Sequence, residues 1–349
     1  MELRLQNIGM IKEATVKLDG LTVIAGENDT GKSTVGKALF ALIESKNIEV
    51  ENENNIVDKF RKNIVSDILN KIFNYDILLE DPRSLIRYCD FFVKNNNDSL
   101  FSAYTSEYDE TYCMEKNVIF IESPIVWNFI DFFRDIALIE SQKNIRVDYP
   151  YLMNDLIFKL QIQNGNGNLN HKENIIKEYK AIGIQERIIK IINGSFVKDE
   201  IGSYFFEKNN KKIELANTAM GIKSFGILQI LSENNWLNED TVLILDEPEV
   251  HLHPKWQIEM AKIIVELVKN GVKILVNSHS PYMIEALKRY AEKAEIEDKT
   301  NFYLAEDGYI KQIEESNSLT LVEIYEKLAE PYDVFEKMDG ERMEKLIHG

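Results

Sequence analysis

The sequence predicts an α/β fold with a mixed sheet core, and three observations support this. Residues 2–8 and 13–18 alternate apolar and polar side chains, as half-buried strands do, and so indicate an antiparallel N-terminal pair. In the C-terminal third, apolar runs alternate with amphipathic segments, a pattern typical of a mostly parallel sheet flanked by helices. The chain has 349 residues, enough for two lobes or one large α/β domain.

Composition and charge narrow the classes of protein. A chain with 44% hydrophobic and 28% charged residues is typical of a globular protein. No apolar run reaches bilayer-spanning length and no apolar signal core opens the chain, so we expect a cytoplasmic protein without membrane contact. A net charge of −17 argues against a broad basic surface that coats nucleic acid. It leaves open a local basic groove, or contact with DNA through a partner. The two cysteines, Cys89 and Cys113, suggest no disulfide framework.

A phosphate-binding loop is predicted between the third strand and the first helix. The residues GENDTGKST match G-x-x-x-x-G-K-[ST] after a buried strand and before a helix. The two glycines let the loop curl so that backbone N–H groups face phosphates, and the helix dipole points at the same anion. Lys32 is expected to reach the β- and γ-phosphates of ATP, and Ser33 to bind Mg²⁺. The predicted nucleotide-binding residues are Gly26, Glu27, Asn28, Asp29, Thr30, Gly31, Lys32, Ser33 and Thr34.

Two further segments supply what such a loop requires. The apolar strand at 241–245 ends in Asp246, predicted to meet Mg²⁺ directly or through water, and in Glu247, predicted to polarise the attacking water. His279 follows another apolar strand and is the second predicted catalytic residue. Because the carboxyl ends of parallel strands share one edge, we expect all of these side chains near the loop. The alternatives are a strand that ends in acids at a turn and a histidine that caps the next helix.

The order GENDTGKST, TVLILDEPEVHLHP, VNSHSP resembles an ABC-type ATPase head. More narrowly, it is similar to bacterial AAA family ATPases of the OLD and Septu type and to the heads of SMC-like repair proteins. The likeness covers residues 1–45 and 215–349 well and the middle only in outline. It implies a P-loop NTPase fold in which ATP, held between two subunits, closes a head-to-tail dimer that hydrolysis reopens.

Two positions depart from that family's pattern. The signature segment that would contact ATP of the other subunit is placed at 217–224, with Asn217, Thr218, Gly221 and Lys223 as the contacting residues. Ala219 and Met220 stand where transporter-type members carry a serine and a glycine, and we therefore expect slow hydrolysis. After the strand at 118–121 the family places a glutamine, whereas this chain has Glu122.

The sequence divides into three predicted regions. Residues 1–45 plus 235–349 form the nucleotide-binding core lobe. Residues 46–117 form a largely helical insertion, with a surface loop at 46–55, an amphipathic helix at 56–73 and another helix opened by Asp81-Pro82. Residues 118–234 form a second lobe that carries the signature and a small β-hairpin region, and two amphipathic helices end the chain.

The function predicted first is a slow ATP-hydrolysing switch that works as a homodimer or higher oligomer. Because no nuclease motif is recognisable, its output is expected to come from the 46–215 insertion or from a partner effector, a nuclease or toxin encoded nearby, in antiphage defence or DNA metabolism. The alternatives are a non-catalytic nucleotide-sensing scaffold, the ATPase subunit of a membrane transporter and a small-molecule kinase. The predicted cofactors are ATP and Mg²⁺.

Overall fold

The computed structural model describes residues 1–51, 67–73, 81–89, 91–95, 100–104, 115–143, 150–164, 183–200 and 202–348. The strands are β1 Glu2–Ile8, β2 Ile11–Lys17, β3 Leu21–Ala25, β4 Leu85–Tyr88, β5 Phe91–Asn95, β6 Leu100–Tyr104, β7 Asn117–Ile121, β8 Ser195–Lys198, β9 Tyr204–Lys208, β10 Lys211–Glu214, β11 Thr241–Asp246, β12 Lys273–Ser278, β13 Thr300–Glu306 and β14 Tyr309–Lys311. The principal helices are α1 Lys32–Glu51, α2 Ile130–Lys143, α3 Tyr151–Gln161, α4 Met220–Glu233, α5 Pro254–Lys269, α6 Pro281–Lys293 and α7 Asn317–His348. Residues 67–72 and 183–192 are also helical.

One large sheet organises the molecule, in the order β6-β5-β4-β1-β2-β14-β13-β3-β12-β11-β7. From β13 through β3, β12 and β11 to β7 the neighbours are parallel. From β2 through β1 and β4 to β6 they are antiparallel. The predicted mixed α/β sheet with an antiparallel N-terminal pair is therefore confirmed.

The strand β3 lies between β12 and β13, and its side chains pack into the cores on both faces of the sheet. Leu21, Val23 and Ala25 join the apolar core formed with α4, α5 and α6. Ile24 points into the opposite core, which α1 covers. Because successive side chains alternate between the two faces, β3 is packed on both sides, and the loop that follows it starts from a rigid position.

A second sheet of three antiparallel strands, β8–β10, packs against α4. The Gln229 amide joins the two, accepting from the backbone N–H of Phe196 at 3.0 Å and donating to its carbonyl at 3.1 Å. Trp127 stacks on Phe196 with ring centroids 5.0 Å apart and donates its indole N–H to the Lys223 carbonyl at 3.0 Å. These contacts fix α4, whose N-terminus lies in the predicted signature segment.

The region predicted as a helical insertion is corrected in three places. Helix α1 continues to Glu51, so residues 46–51 are not a loop. Asp81-Pro82 opens no helix: the Asp81 carboxylate accepts from the backbone N–H of Arg83 at 2.7 Å, closing a turn before β4. Strands β4 and β5 alternate buried and half-buried side chains and extend the sheet. Of the helix predicted at 56–73, only 67–73 lies within the described residues.

Three other expectations change. β7 pairs in parallel with β11, so it belongs to the core sheet and not to a second lobe beginning at 118. A single helix, α7, replaces the two predicted C-terminal helices and contains Pro331. Cys89 is disulfide-bonded, although the two cysteines suggested no disulfide framework. Within the described ranges, no helix combines the length and apolar character that crossing a bilayer requires.

Candidate functional site

Strand register brings the predicted site residues to one edge of the sheet. Ala25, the last residue of β3, pairs with Ser278 at the end of β12, and Asn277 pairs with Asp246 at the end of β11. Leu245 pairs with Ile121, which places Glu122 at the same level. The phosphate loop, the acidic pair, the His279 loop and Glu122 therefore leave the sheet side by side, as expected for a ligand site at the carboxyl ends of parallel strands.

The phosphate loop has the backbone that its glycines predict. Gly31 has a φ of +88°, and Asp29 is left-handed at +64°. A Cβ on Gly26 would lie 2.4 Å from the Ala305 carbonyl oxygen, so the loop's approach to β13 excludes any side chain there. Lys32 is 4% exposed, and its Nζ donates to the carbonyls of Gly26, at 2.9 Å, and Glu27. The lysine thus lies across the mouth of the loop.

Burial dominates the electrostatics of Lys32. Loss of solvent lowers the pKa of its ammonium group, while the negative charges of Glu247, Asp246, Glu249 and Glu27 oppose that shift. A buried ammonium surrounded by carboxylates and backbone N–H groups is suited to a polyanionic ligand.

Asp246 is buried at the end of β11, with 8% of its surface exposed. Its carboxylate accepts from Asn277 Nδ2 at 2.7 Å and from the Ser33 hydroxyl. Burial raises the pKa of Asp246, the two hydrogen bonds oppose that rise, and the nearby charges of Glu122 and Glu247 add to it. The predicted magnesium pair, Ser33 and Asp246, is therefore in direct contact. A hydroxyl beside a carboxylate is a donor set that suits Mg²⁺.

Glu247 and His279, the two residues with predicted catalytic roles, face each other. His279 Nδ1 lies 3.3 Å from Glu247 Oε1, and this buried nitrogen has no hydrogen-bond partner among the described atoms. Glu247 has a left-handed φ of +51°, and its backbone N–H donates to the Asn277 carbonyl at 2.9 Å. An uncommon backbone conformation at a carboxylate beside the phosphate loop is typical of functional sites.

Glu249 is a site residue that the sequence analysis missed. It is 4% exposed, and its Oε1 accepts from the Ser278 hydroxyl at 2.7 Å and from the backbone N–H groups of His279 at 2.9 Å and Ser280 at 3.2 Å. Only the short spacing of acids in DEPEV hinted at it. Asn277, which holds Asp246, was also missed, although an amide at the end of an apolar strand is an unusual residue to bury.

A cavity of about 380 Å³ opens beside Ser33 and Asp246, between the sheet edge and α4. Its polar wall is formed by Ser33, Glu122, Ser123, Ser224, Asp246 and Glu247. Glu122 pairs with Lys37 at 3.4 Å on the α1 side. The carboxylate that replaces the expected glutamine therefore lies at this wall, next to the predicted metal position.

The predicted signature residues are placed differently from one another. Asn217 is exposed, whereas the buried Thr218 donates its hydroxyl to the Glu214 carbonyl at 3.0 Å. Gly221 is buried, and a Cβ there would lie 3.1 Å from the His251 carbonyl oxygen. Lys223 is 1% exposed and donates to Asn128 Oδ1 at 2.6 Å. This hydrogen bond within its own chain argues against the prediction that Lys223 reaches another subunit's nucleotide, which stays a prediction.

Comparison with known families gives the context for this site. Residues 21–285 match the family described as "AAA domain, putative AbiEii toxin, Type IV TA system". The chain belongs to this AAA family. The predicted resemblance is thereby confirmed, and this AAA protein is an ATPase of the ABC-like type by family. The match begins at β3 and ends within α6, so it contains the phosphate loop, the acidic pair and the histidine loop.

Individual relatives are more distant. The AAA protein is 22% identical to the Septu protein PtuA of Bacillus thuringiensis over 309 residues, 82% of this chain and 72% of PtuA. Among solved structures, it is similar to an Smc head bound to the C-terminal winged-helix domain of ScpA, with 16% identity, a TM-score of 0.48 and coverage of 89% and 96% of the two chains. A dimeric bacterial ABC transporter cassette gives 13% identity, a TM-score of 0.39 and coverage of 89% and 97%.

Proposed function

We propose that this AAA protein binds and slowly hydrolyses ATP and that ATP closes a head-to-tail dimer which switches a partner effector. The observation that supports this best is the convergence of Lys32, Ser33, Asp246, Glu247 and His279 at one sheet edge. These are the groups that phosphoryl transfer to water needs: a cation for the phosphates, ligands for a metal and a base for the water.

Each residue has a defined task in this proposal. The amides of the phosphate loop and Lys32 hold the phosphates. Ser33 and Asp246 hold Mg²⁺, which when bound neutralises phosphate charge. Glu247 accepts a proton from the attacking water, and His279, whose Nδ1 lies 3.3 Å from it, orients that water and the γ-phosphate. Glu249 keeps the His279 backbone in place.

The dimeric part of the proposal rests on the resemblance and on the exposed Asn217 before α4. Helix α4 begins after Ala219, which makes no side-chain capping bond, so its N-terminal dipole is open to an anion. Asn217 and the amides of that turn are the candidate contacts for the other subunit's γ-phosphate. Thr218, Gly221 and Lys223 support this turn from inside the chain.

The effector and the biological setting rest on the resemblance to ATPases of the OLD and Septu type, which the similarity to the Septu protein PtuA supports. We infer a cytoplasmic role in defence or DNA metabolism with a nuclease or toxin as partner, and nucleic-acid contact through that partner. No separate catalytic centre is recognisable in the sequence that would supply the output without a partner.

The variant Glu247→Gln tests the proposal. It keeps the shape and hydrogen-bonding capacity of the side chain and removes the base, so we expect ATP to trap a stable dimer that turns over at least about 100-fold more slowly. Sedimentation velocity with and without ATP and Mg²⁺, together with phosphate release, gives both readouts. Lys32→Ala is the matched control and should abolish ATP binding and closure together.

A non-catalytic nucleotide sensor is the second candidate, because the signature lacks the serine and glycine of transporter-type members at Ala219 and Met220. In that case Glu247→Gln and the wild type would form the same ATP-dependent dimer, and neither would release phosphate. A wild type that neither dimerises with ATP nor hydrolyses it, alone or with the product of the neighbouring gene, would contradict both candidates.

A further inference from the structure

Among the residues of helix α7 that the structure describes, those of its first half are the ones that pack against the core. Leu321 and Ile324 are buried there, and Tyr325 and Leu328 pack against the same core cluster. The covered residues recur every three or four positions, which defines one apolar face of the helix.

The same face continues past Pro331, where no described residue of another element covers it. Five large side chains there are exposed by 58% to 77% of their surface. We call them the C-terminal stripe: Tyr332, Phe335, Met338, Met343 and Leu346. Singly exposed apolar residues are ordinary, but a row that prolongs a core-facing stripe marks a contact surface.

The spacing of the stripe is that of a two-helix seam. If Tyr325 is an a position of a heptad, Leu328, Phe335 and Arg342 are d positions, and Tyr332, Asp339 and Leu346 are a positions. Met338 and Met343 then occupy the flanking g and e positions. The seam is apolar except at Asp339 and Arg342, both of which are exposed.

We propose that the C-terminal stripe binds the same stripe of a second copy of this chain as an antiparallel helix pair. In such a pair each a side chain lies opposite a d side chain of the other helix. The register that sets Phe335 opposite Leu346 of the second copy also sets Asp339 opposite Arg342, because the two pairs have the same midpoint. Two-fold symmetry repeats each contact, so the two polar seam positions neutralise each other twice.

This charge pattern selects a second copy as the occupant. An acid and a base in one seam leave a buried charge unpaired against an apolar partner, which is costly. The antiparallel self-pair places an opposite charge against each of them. The seam is about two heptads long, which is short, so we expect a Kd in the range of roughly 1 to 100 µM.

The interface is distinct from the proposed ATP-dependent one. The C-terminal stripe contains no residue of the phosphate loop, of the Asp246–Glu249 segment or of the His279 loop. Its pairing therefore needs no nucleotide. Where both interfaces form, two different two-fold contacts on one chain build an assembly larger than a dimer.

The first test measures self-association of the full chain without nucleotide, in the wild type and in Lys32→Ala, by sedimentation velocity at about 1 to 100 µM. We expect a concentration-dependent dimer in both proteins. Phe335→Glu should raise the protein concentration at which half of the chains are dimeric at least about tenfold, because it buries a charge in the seam. The matched control is Val334→Glu, which is 55% exposed one residue away and outside the seam. A monomeric wild type, or equal loss in the two variants, would overturn the proposal.

A charge exchange identifies the partner as a second copy. Asp339→Arg and Arg342→Asp should each weaken association at least about tenfold by placing like charges opposite one another. The double variant restores opposite charges and should return to within about threefold of the wild type. Circular dichroism establishes that each variant keeps its helix. A double variant as weak as the singles would refute the antiparallel self-pair, and none of these readouts depends on ATP hydrolysis.

Discussion

Glu249 holds the His279 loop through a single oxygen atom. Its Oε1 accepts the backbone N–H of His279 at 2.9 Å while also binding Ser278 and Ser280. The carboxylate is buried, so these bonds do not compete with water. The distance between His279 and Glu247 therefore depends on an acid that lies two residues beyond Glu247 in the chain.

Removing this anchor should affect stability and turnover together. Glu249→Ala leaves the Ser278 hydroxyl and the His279 backbone N–H without this acceptor, whereas the Ser280 N–H keeps its bond to Ser278 Oγ, so we expect a loss of roughly 2–3 kcal/mol in unfolding free energy. We also expect a decrease of roughly 10- to 100-fold in ATP hydrolysis, the usual cost of losing a group that orients a site residue. Urea unfolding and phosphate release measure these effects. Glu13→Ala, on the exposed side of β2, is the control. Unchanged turnover in folded Glu249→Ala would show that the loop needs no such anchor.

Asp246→Asn should raise the stability of the fold and abolish Mg²⁺-dependent hydrolysis. Burial raises the pKa of Asp246 above its ordinary 3.8, so the folded protein holds this proton more tightly than the unfolded chain does. Stability therefore falls as pH rises from 3.8 through the raised pKa, and the full cost is present above it. We expect the variant to melt a few degrees higher at pH 8, to lose this gain below pH 3.8 and to lose Mg²⁺-dependent hydrolysis. A lower melting temperature at pH 8 would contradict the assignment.

Lys223→Met tests whether this residue acts inside its own chain. The substitution removes the hydrogen bond to Asn128 Oδ1, which is exposed and can bind water instead, so we expect a loss of at most about 1 kcal/mol in unfolding free energy. ATP-dependent dimerisation should stay within about twofold of the wild type, since the charge does not reach the other subunit. Lys211→Met, at an exposed position of β10, is the matched control. A tenfold weaker ATP-bound dimer in a well-folded variant would restore the original signature assignment.

Glu122→Gln tests the carboxylate that replaces the expected glutamine. The charge of Glu122 acts on Asp246 and adds to the negative potential at the predicted metal position. Its removal should raise the half-saturating Mg²⁺ concentration for hydrolysis by roughly 3- to 10-fold at low salt, and by less at high salt because the charge is partly screened. A Mg²⁺ titration of both proteins at two ionic strengths decides this. An unchanged or lower requirement would indicate that Glu122 plays no part in holding the metal.

The sequence by itself determined the strands that end in functional residues. Local patterns suffice there: apolar runs define β3, β11 and β12, and parallel register then places the phosphate loop, Asp246 and the His279 loop at one edge. The sequence did not determine the secondary structure of the region after α1. The turn at Asp81-Pro82 has the residues of a helix start, but pairing with β1 and burial of Ile86 and Val93 favour strands.

Tertiary structure alone decided the roles of Glu249, Asn277 and Lys223. Their neighbours come from other segments: Glu249 binds the loop after β12, Asn277 holds the acid of β11, and Lys223 reaches Asn128. A polar side chain acquires a role from the donors and acceptors that surround it after folding, and these contacts leave no periodic trace in the sequence. Hydrophobic periodicity indicates which face of an element is buried, but not which polar group from a distant segment contacts that face in the folded protein.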